Sequence, residues 1–172
     1  MKIRILILII AILTNFSVCA QRTIPPTDSL QVTGKIKNPT VFTLADLDTF
    51  PKTAIKDQII FNHNGEVKDT LTGMSGVPLK TLLASIIYVY DKPKFLNEFY
   101  FVFIASDGYR VVFSWNEIYN TETGNNFFIV TEMEGKKLYD VDQRIIFIST
   151  ADLKTGRRYI KGLEKIEVRQ LE

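Results

Sequence analysis

Short, strongly apolar runs rich in aromatic and β-branched residues dominate the chain, and no long helical repeat separates them. They are clearest at Phe99 to Ile104, Asn126 to Thr131, Arg144 to Ser149 and Leu163 to Val168. Runs of this length and composition read as strands. Earlier in the chain, Leu30, Val32, Gly34 and Ile36 alternate with polar residues, the period of a half-buried strand. Ile55 to Phe61 and Val67 to Leu71 flank His63-Asn64-Gly65, and Asn-Gly is a strong hairpin signal. Asp107-Gly108 predicts a second hairpin, leading into Tyr109 to Phe113.

Helical signals are few and short. Thr43 with Asp46 three residues on marks one start. Pro78 suits the first position of a helix carrying Leu79, Leu82, Leu83 and Ile86 on one face, after a glycine-flanked loop from Gly73 to Gly76. Ser114 with Glu117 predicts a capping box for a helix bearing Trp115 and Ile118. Many strands with two or three short helices predict an α+β fold with a mixed, largely antiparallel sheet. The regular strand–helix alternation of a Rossmann fold is missing.

The start of the chain sets its compartment. Met1-Lys2-Ile3-Arg4, an apolar run from Ile5 to Leu13, and Val18-Cys19-Ala20 have the pattern of a secretory signal cleaved before Gln21. The apolar run falls short of the roughly 20 residues that span a bilayer. An exported protein, periplasmic or extracellular, is expected, with no transmembrane segment after cleavage. Lipid attachment at Cys19 is the rival, and Phe16-Ser17-Val18 fits a lipoprotein signal poorly.

Residues 21–28 read as a proline-bearing tether. Residues 29–172 read as one domain, since removal of the signal leaves 152 of the 172 residues. Loss of Lys2 and Arg4 takes the basic count from 21 to 19, equal to the 19 acidic residues. A net charge near zero argues against nucleic acid as a partner. Cys19 is the only cysteine. The mature chain therefore has no disulfide, thiolate ligand or cysteine nucleophile.

Five segments, in order, resemble the sulfite oxidase-like molybdopterin-binding domain, especially its small exported members. They are Leu30 to Pro39 with Phe42 to Leu47; Gly76-Val77-Pro78-Leu79 with Leu82-Leu83; Ala105 to Tyr109 with Val112-Phe113-Ser114 and Glu117; Gly135-Lys136 with Leu138; and Arg158 to Leu163 with Ile166 and Val168. The resemblance implies that family's α+β fold. In catalytic members a cysteine between the first helix and the glycine-led loop binds molybdenum. Residues 51–75 contain none, and the family's arginine-bearing segment after it is also missing. Molybdenum selects soft thiolate ligation, so no metal ligand and no catalytic residue is assigned. No cofactor is expected, with molybdopterin the alternative.

What remains is a non-catalytic module for a small anionic ligand or a protein partner. The alternative is a molybdopterin-dependent oxidoreductase whose metal lacks a protein thiolate. His63, the only histidine, and Asn64 are ligand candidates or simply a hairpin tip. Gly73 and Gly76 would let backbone N–H groups approach an anion. Tyr109 follows a turn in which Asp107 bonds its own backbone. Arg144, Arg157, Arg158 and Lys161 would suit an anion, or belong to a solvated loop. The candidates are expected to converge on one side of the fold, around a surviving cleft.

Overall fold

A computed structural model describes residues 23–172. The signal segment, its cleavage site and Cys19 lie outside the described residues. The elements are β1 (Ser29–Gly34), β2 (Thr40–Thr43), α1 (Leu44–Thr49), β3 (Thr53–Ile55), β4 (Gln58–Phe61), β5 (Val67–Leu71) and β6 (Met74–Pro78). They continue with α2 (Leu79–Leu83), β7 (Phe99–Ala105), β8 (Arg110–Ser114), α3 (Trp115–Tyr119), β9 (Phe127–Met133), β10 (Lys136–Lys137), β11 (Ile146–Ser149) and β12 (Leu163–Gln170).

One sheet has the order β2-β1-β12-β7-β8, with β1 and β12 parallel and every other pair antiparallel. The other has the order β10-β9-β6-β3, with β11 also paired to β9, all antiparallel. A separate hairpin joins β4 to β5. The expected α+β class with a mixed, largely antiparallel sheet is what forms.

The second sheet is buried on both faces. Phe127 and Ile129 of β9 join Phe147 of β11 in the large core, against Phe101, Phe103 and Phe113 of the first sheet. Phe128, Val130, Ile146 and Ile148 point the other way, into a smaller core with Ile60 and Leu71 of the β4–β5 hairpin. Successive strand residues face opposite sides, so a strand covered on both faces must be apolar at nearly every position. That is the reason for the unbroken run from Phe127 to Val130. The hairpin exists to cover the second face, and its free end shapes the site described below.

Several expectations need correction. Ile55 to Phe61 is two strands in different sheets. The chain turns a corner at Lys56-Asp57, where the Asp57 carboxylate accepts from the Gly73 amide at 3.2 Å. Gly73 to Pro78 is largely the strand β6, and Pro78 precedes α2 rather than opening it. Gly76 is glycine because a Cβ there would sit 2.6 Å from the Ile129 carbonyl oxygen, at a register shift between β6 and β9. Val112, whose place in the apolar run from Tyr109 to Phe113 predicts burial, is 58% exposed. It points away from Phe113, which the two-residue period turns inward. At the other apolar positions of the predicted strands and of the Leu79 to Ile86 face, Leu82, Leu83, Phe101, Phe103, Phe128, Ile146 and Ile166 are buried, as their pattern predicts.

The helix starts follow the sequence. Thr43 and Asp46 form a reciprocal capping box on α1. Ser114 accepts from the Glu117 amide at 3.0 Å on α3, but the Glu117 side chain turns away to pair with Arg158. Trp115 packs as expected, stacked on Phe101 at 6.1 Å and edge-on to Tyr88 at 4.8 Å. Tyr88 and Tyr119 share a hydrogen bond of 2.7 Å, and burial raises the pKa of both.

Residues 24–28, read as part of a tether, lie against the fold. Thr27 is buried, donates to the Leu163 carbonyl at 2.9 Å and accepts from the Ile145 amide at 2.9 Å. The Thr27 amide donates to the Arg144 carbonyl at 2.6 Å and Ser106 Oγ to the Pro25 carbonyl at 2.6 Å, and these bonds hold the segment.

Candidate functional site

A cleft of about 810 Å³ opens where the hairpin meets the end of the first sheet. Pockets for small ligands run from roughly 300 to 1,000 Å³, so a molecule of cofactor size fits. One wall is the β4–β5 hairpin, with Ile60, Phe61, Asn62, His63 and Lys68. The β7–β8 turn supplies Asp107 and Tyr109. A third wall follows β11, with Gly156, Arg157, Tyr159 and Lys161, and Ile24 and Gln143 close the rim.

These walls are tied together. The Thr155–Arg157 turn docks on β4, where Thr155 Oγ1 donates to the Ile59 carbonyl at 2.7 Å and accepts from the Phe61 amide at 3.1 Å. Gly156 lets the two backbones touch, since a Cβ there would lie 2.1 Å from the Phe61 carbonyl oxygen. From the other side, the Tyr109 hydroxyl donates to the Arg157 carbonyl at 2.7 Å. The β7–β8 turn is itself set by Asp107, which accepts from the Tyr109 amide at 2.9 Å, with Gly108 at φ 82°. The Arg157 backbone is thus fixed while its side chain is exposed.

The cleft collects Lys68, Arg157 and Lys161, with His63, against the single carboxylate of Asp107. Among the described residues, none of these four basic side chains has an ion pair. Lys161 is half-buried, with its ammonium 5.1 Å from the centre of the Tyr159 ring. Burial lowers its pKa, helped by Lys68, while Asp69 and Glu134 act the other way. A smaller cleft of about 330 Å³ adjoins the first, shares Gln143, Tyr159 and Lys161 with it, and adds Asp69, Glu134 and Asp142.

Of the residues singled out from the sequence, His63, Tyr109, Arg157 and Lys161 meet in this cleft. The other five lie elsewhere. Asn64 sits at the hairpin tip, where its amide donates to Asn62 Oδ1 at 2.9 Å. Gly73 and Gly76 serve the corner and the strand crossing. Arg144 pairs with Asp28 at 2.6 Å, tying β11 to the N-terminal segment.

Arg158 is the instructive case. It forks onto Asp152, reaches Glu117 of α3, and lies over the rings of Phe113 and Phe127 at 5.0 and 5.4 Å. The Asp152 contact, more than any other, raises its pKa. With both carboxylates engaged it fastens the loop rather than facing a ligand. Sequence reasoning missed Lys68, Gln143, Gly156 and Tyr159. Thr155-Gly156 beside two arginines was the available signal for the third of these.

Neither a protein-family model nor a curated protein sequence matches the chain. Among solved structures, it is similar to the sulfane dehydrogenase SoxCD from Paracoccus pantotrophus. The TM-score is 0.58 at 18% identity, over 81% of this chain and 37% of that one. The architecture is a sulfite oxidase-like α+β fold. The chain spans little more than a third of that relative's length, and identity at this level carries the fold alone.

Molybdopterin is the group that a sulfite oxidase-like fold implies. Residues 23–172 contain no cysteine. No group of three or more His, Cys, Asp or Glu among the described residues could hold a metal ion. Molybdenum takes a soft thiolate, so the residues present do not fit the metal-bearing group. His63 is the only histidine of the chain, and one imidazole does not make a metal site.

Proposed function

We propose that the chain is an exported, non-catalytic module that binds a small anionic ligand in the cleft between the β4–β5 hairpin and the Thr155–Arg157 turn. The supporting observation is the gathering of Lys68, Arg157 and Lys161 around one preformed cavity, without acidic partners among the described residues. Cations gathered in a partly enclosed site bind anions through charge-assisted hydrogen bonds. Lys161 is half-buried, so its bond to an anion is worth more than one at an open surface, while Lys68 and Arg157 are exposed and supply charge. The clamps at Thr155 and Tyr109 reduce the ordering cost of binding. Export rests on the signal pattern of residues 1–20, and no described helix is long and apolar enough to cross a membrane.

A second reading, a molybdopterin-dependent oxidoreductase holding its metal without a protein thiolate, is favoured by the likeness to a sulfane dehydrogenase. Elemental analysis of protein purified from its native compartment separates the two. Binding without catalysis predicts molybdenum far below one atom per chain. Stoichiometric molybdenum that survives gel filtration would establish the second reading.

A further inference from the structure

Lys161 does not behave as an ordinary surface lysine. It is half-buried, yet it has no hydrogen bond and no ion pair among the described residues. Lys52 and Lys136, both more exposed, reach Asp48 and Asp142. Burying part of an amine costs hydration that a hydrogen bond or ion pair would replace, and Lys161 has neither among the described residues. Lys161 also lies on the wall shared by the two clefts, so a ligand in either one meets it. The groups around it are Asp69 and Glu134, which favour its charged form, Lys68, which opposes it, and the Tyr159 ring. Burial prevails, and the neutral amine is more abundant than in a solvated lysine. A half-buried amine without a hydrogen-bond or ion-pair partner, on the wall of a cleft that Lys68 and Arg157 also line, is a nucleophile toward carbonyl carbon in its deprotonated form.

We infer that Lys161 is a carbonyl-reactive amine and that the cleft takes an aldehyde carrying an anionic group, held as an imine. The inference rests on the anion-binding reading and adds the ligand's second functional group. Lys68 and Arg157 hold the anionic end, while the aldehyde meets Nζ beside the Tyr159 ring. Nζ adds to the carbonyl carbon, and its protons pass to the carbonyl oxygen, which leaves as water. A C=N bond replaces the C=O bond, and no oxidant or reductant takes part.

The test uses pyridoxal 5′-phosphate as an anionic aldehyde, with borohydride to fix any imine and peptide mass spectrometry to locate it. Lys161 should be modified faster than every other lysine, the direction that its burial and its place between the two clefts give. Lys161→Arg should abolish that one adduct while the rest of the map is unchanged. Pyridoxal without the phosphate should lose the selectivity, and Arg157→Gln should weaken it. Pyridoxine 5′-phosphate, an alcohol in place of the aldehyde, should bind by calorimetry and protect Lys161. If that alcohol binds but Lys161 reacts no faster than the other lysines, the imine inference is overturned and the anion-binding reading stands. If the alcohol does not bind, the anion-binding reading itself fails. Rapid labelling of Lys161 by pyridoxal and its phosphate alike would remove the anionic group from the inferred ligand.

Discussion

Replacing Gly156 by alanine tests the coupling between fold and site. The added Cβ would lie 2.1 Å from the Phe61 carbonyl oxygen and 3.2 Å from its carbon. Ordinary carbon–oxygen contact needs more than about 3 Å, so the Thr155–Arg157 turn must retreat from β4 by about 1 Å. A retreat of that size stretches both Thr155 hydrogen bonds, from 2.7 and 3.1 Å, beyond useful range. Two lost bonds at about 1 kcal/mol each, with residual strain, give about 2–4 kcal/mol. With a urea dependence of about 2 kcal/mol per molar, the unfolding midpoint should fall by roughly 1–2 M. The turn carries Arg157, so anion affinity should drop even at temperatures where the variant is fully folded. Urea unfolding together with a phosphate titration reads both effects. A loss below about 0.5 kcal/mol, within the range of ordinary surface substitutions, would refute the docking of the turn on β4.

Other substitutions probe separate parts of the account. Arg158→Met leaves Asp152 and Glu117 without their shared cation and should cost about 2–4 kcal/mol in thermal unfolding, somewhat less than a fully buried pair. Tyr109→Phe removes only the bond to the Arg157 carbonyl, and should cost about 0.5–1.5 kcal/mol in unfolding and a few-fold in anion affinity. Phe101→Ala should cost about 3–5 kcal/mol, since the ring is fully buried in the large core. Lys161→Met should raise the thermal midpoint at neutral pH. The Lys161 pKa is lowered on folding, so the unfolded chain binds more protons just below the ordinary lysine value. Wild-type stability should therefore rise relative to the variant as pH climbs through that window.

The strands were legible because burial on two faces forces continuous apolar sequence, as in Phe127 to Val130, and because Asn64-Gly65 and Asp107-Gly108 are strong turns. Thr43 and Ser114 marked helix starts for an equally local reason. Ile55 to Phe61 misled because an apolar run does not record which sheet its halves join; the corner at Asp57 is made by Gly73, sixteen residues away. Val112 misled because β8 lies at a sheet edge, where one face is open. The site was half legible. Arg157 and Arg158 are adjacent and chemically identical, and only the placement of Asp152 and Glu117 turns one inward as a fastener and leaves the other at the cleft. Lys68 carried no local signal, lying on a short polar strand whose role depends on where the hairpin folds over.

The central claim, that cations of the hairpin and of the Thr155–Lys161 segment form one anion site, is tested most directly by an amide NMR titration with inorganic phosphate at fixed ionic strength. The account predicts saturable shifts confined to residues around His63, Lys68, Arg157 and Lys161, lost together in Arg157→Gln. Shifts that do not saturate, or that centre on Arg144 or Arg158 while the cleft stays silent, would contradict it.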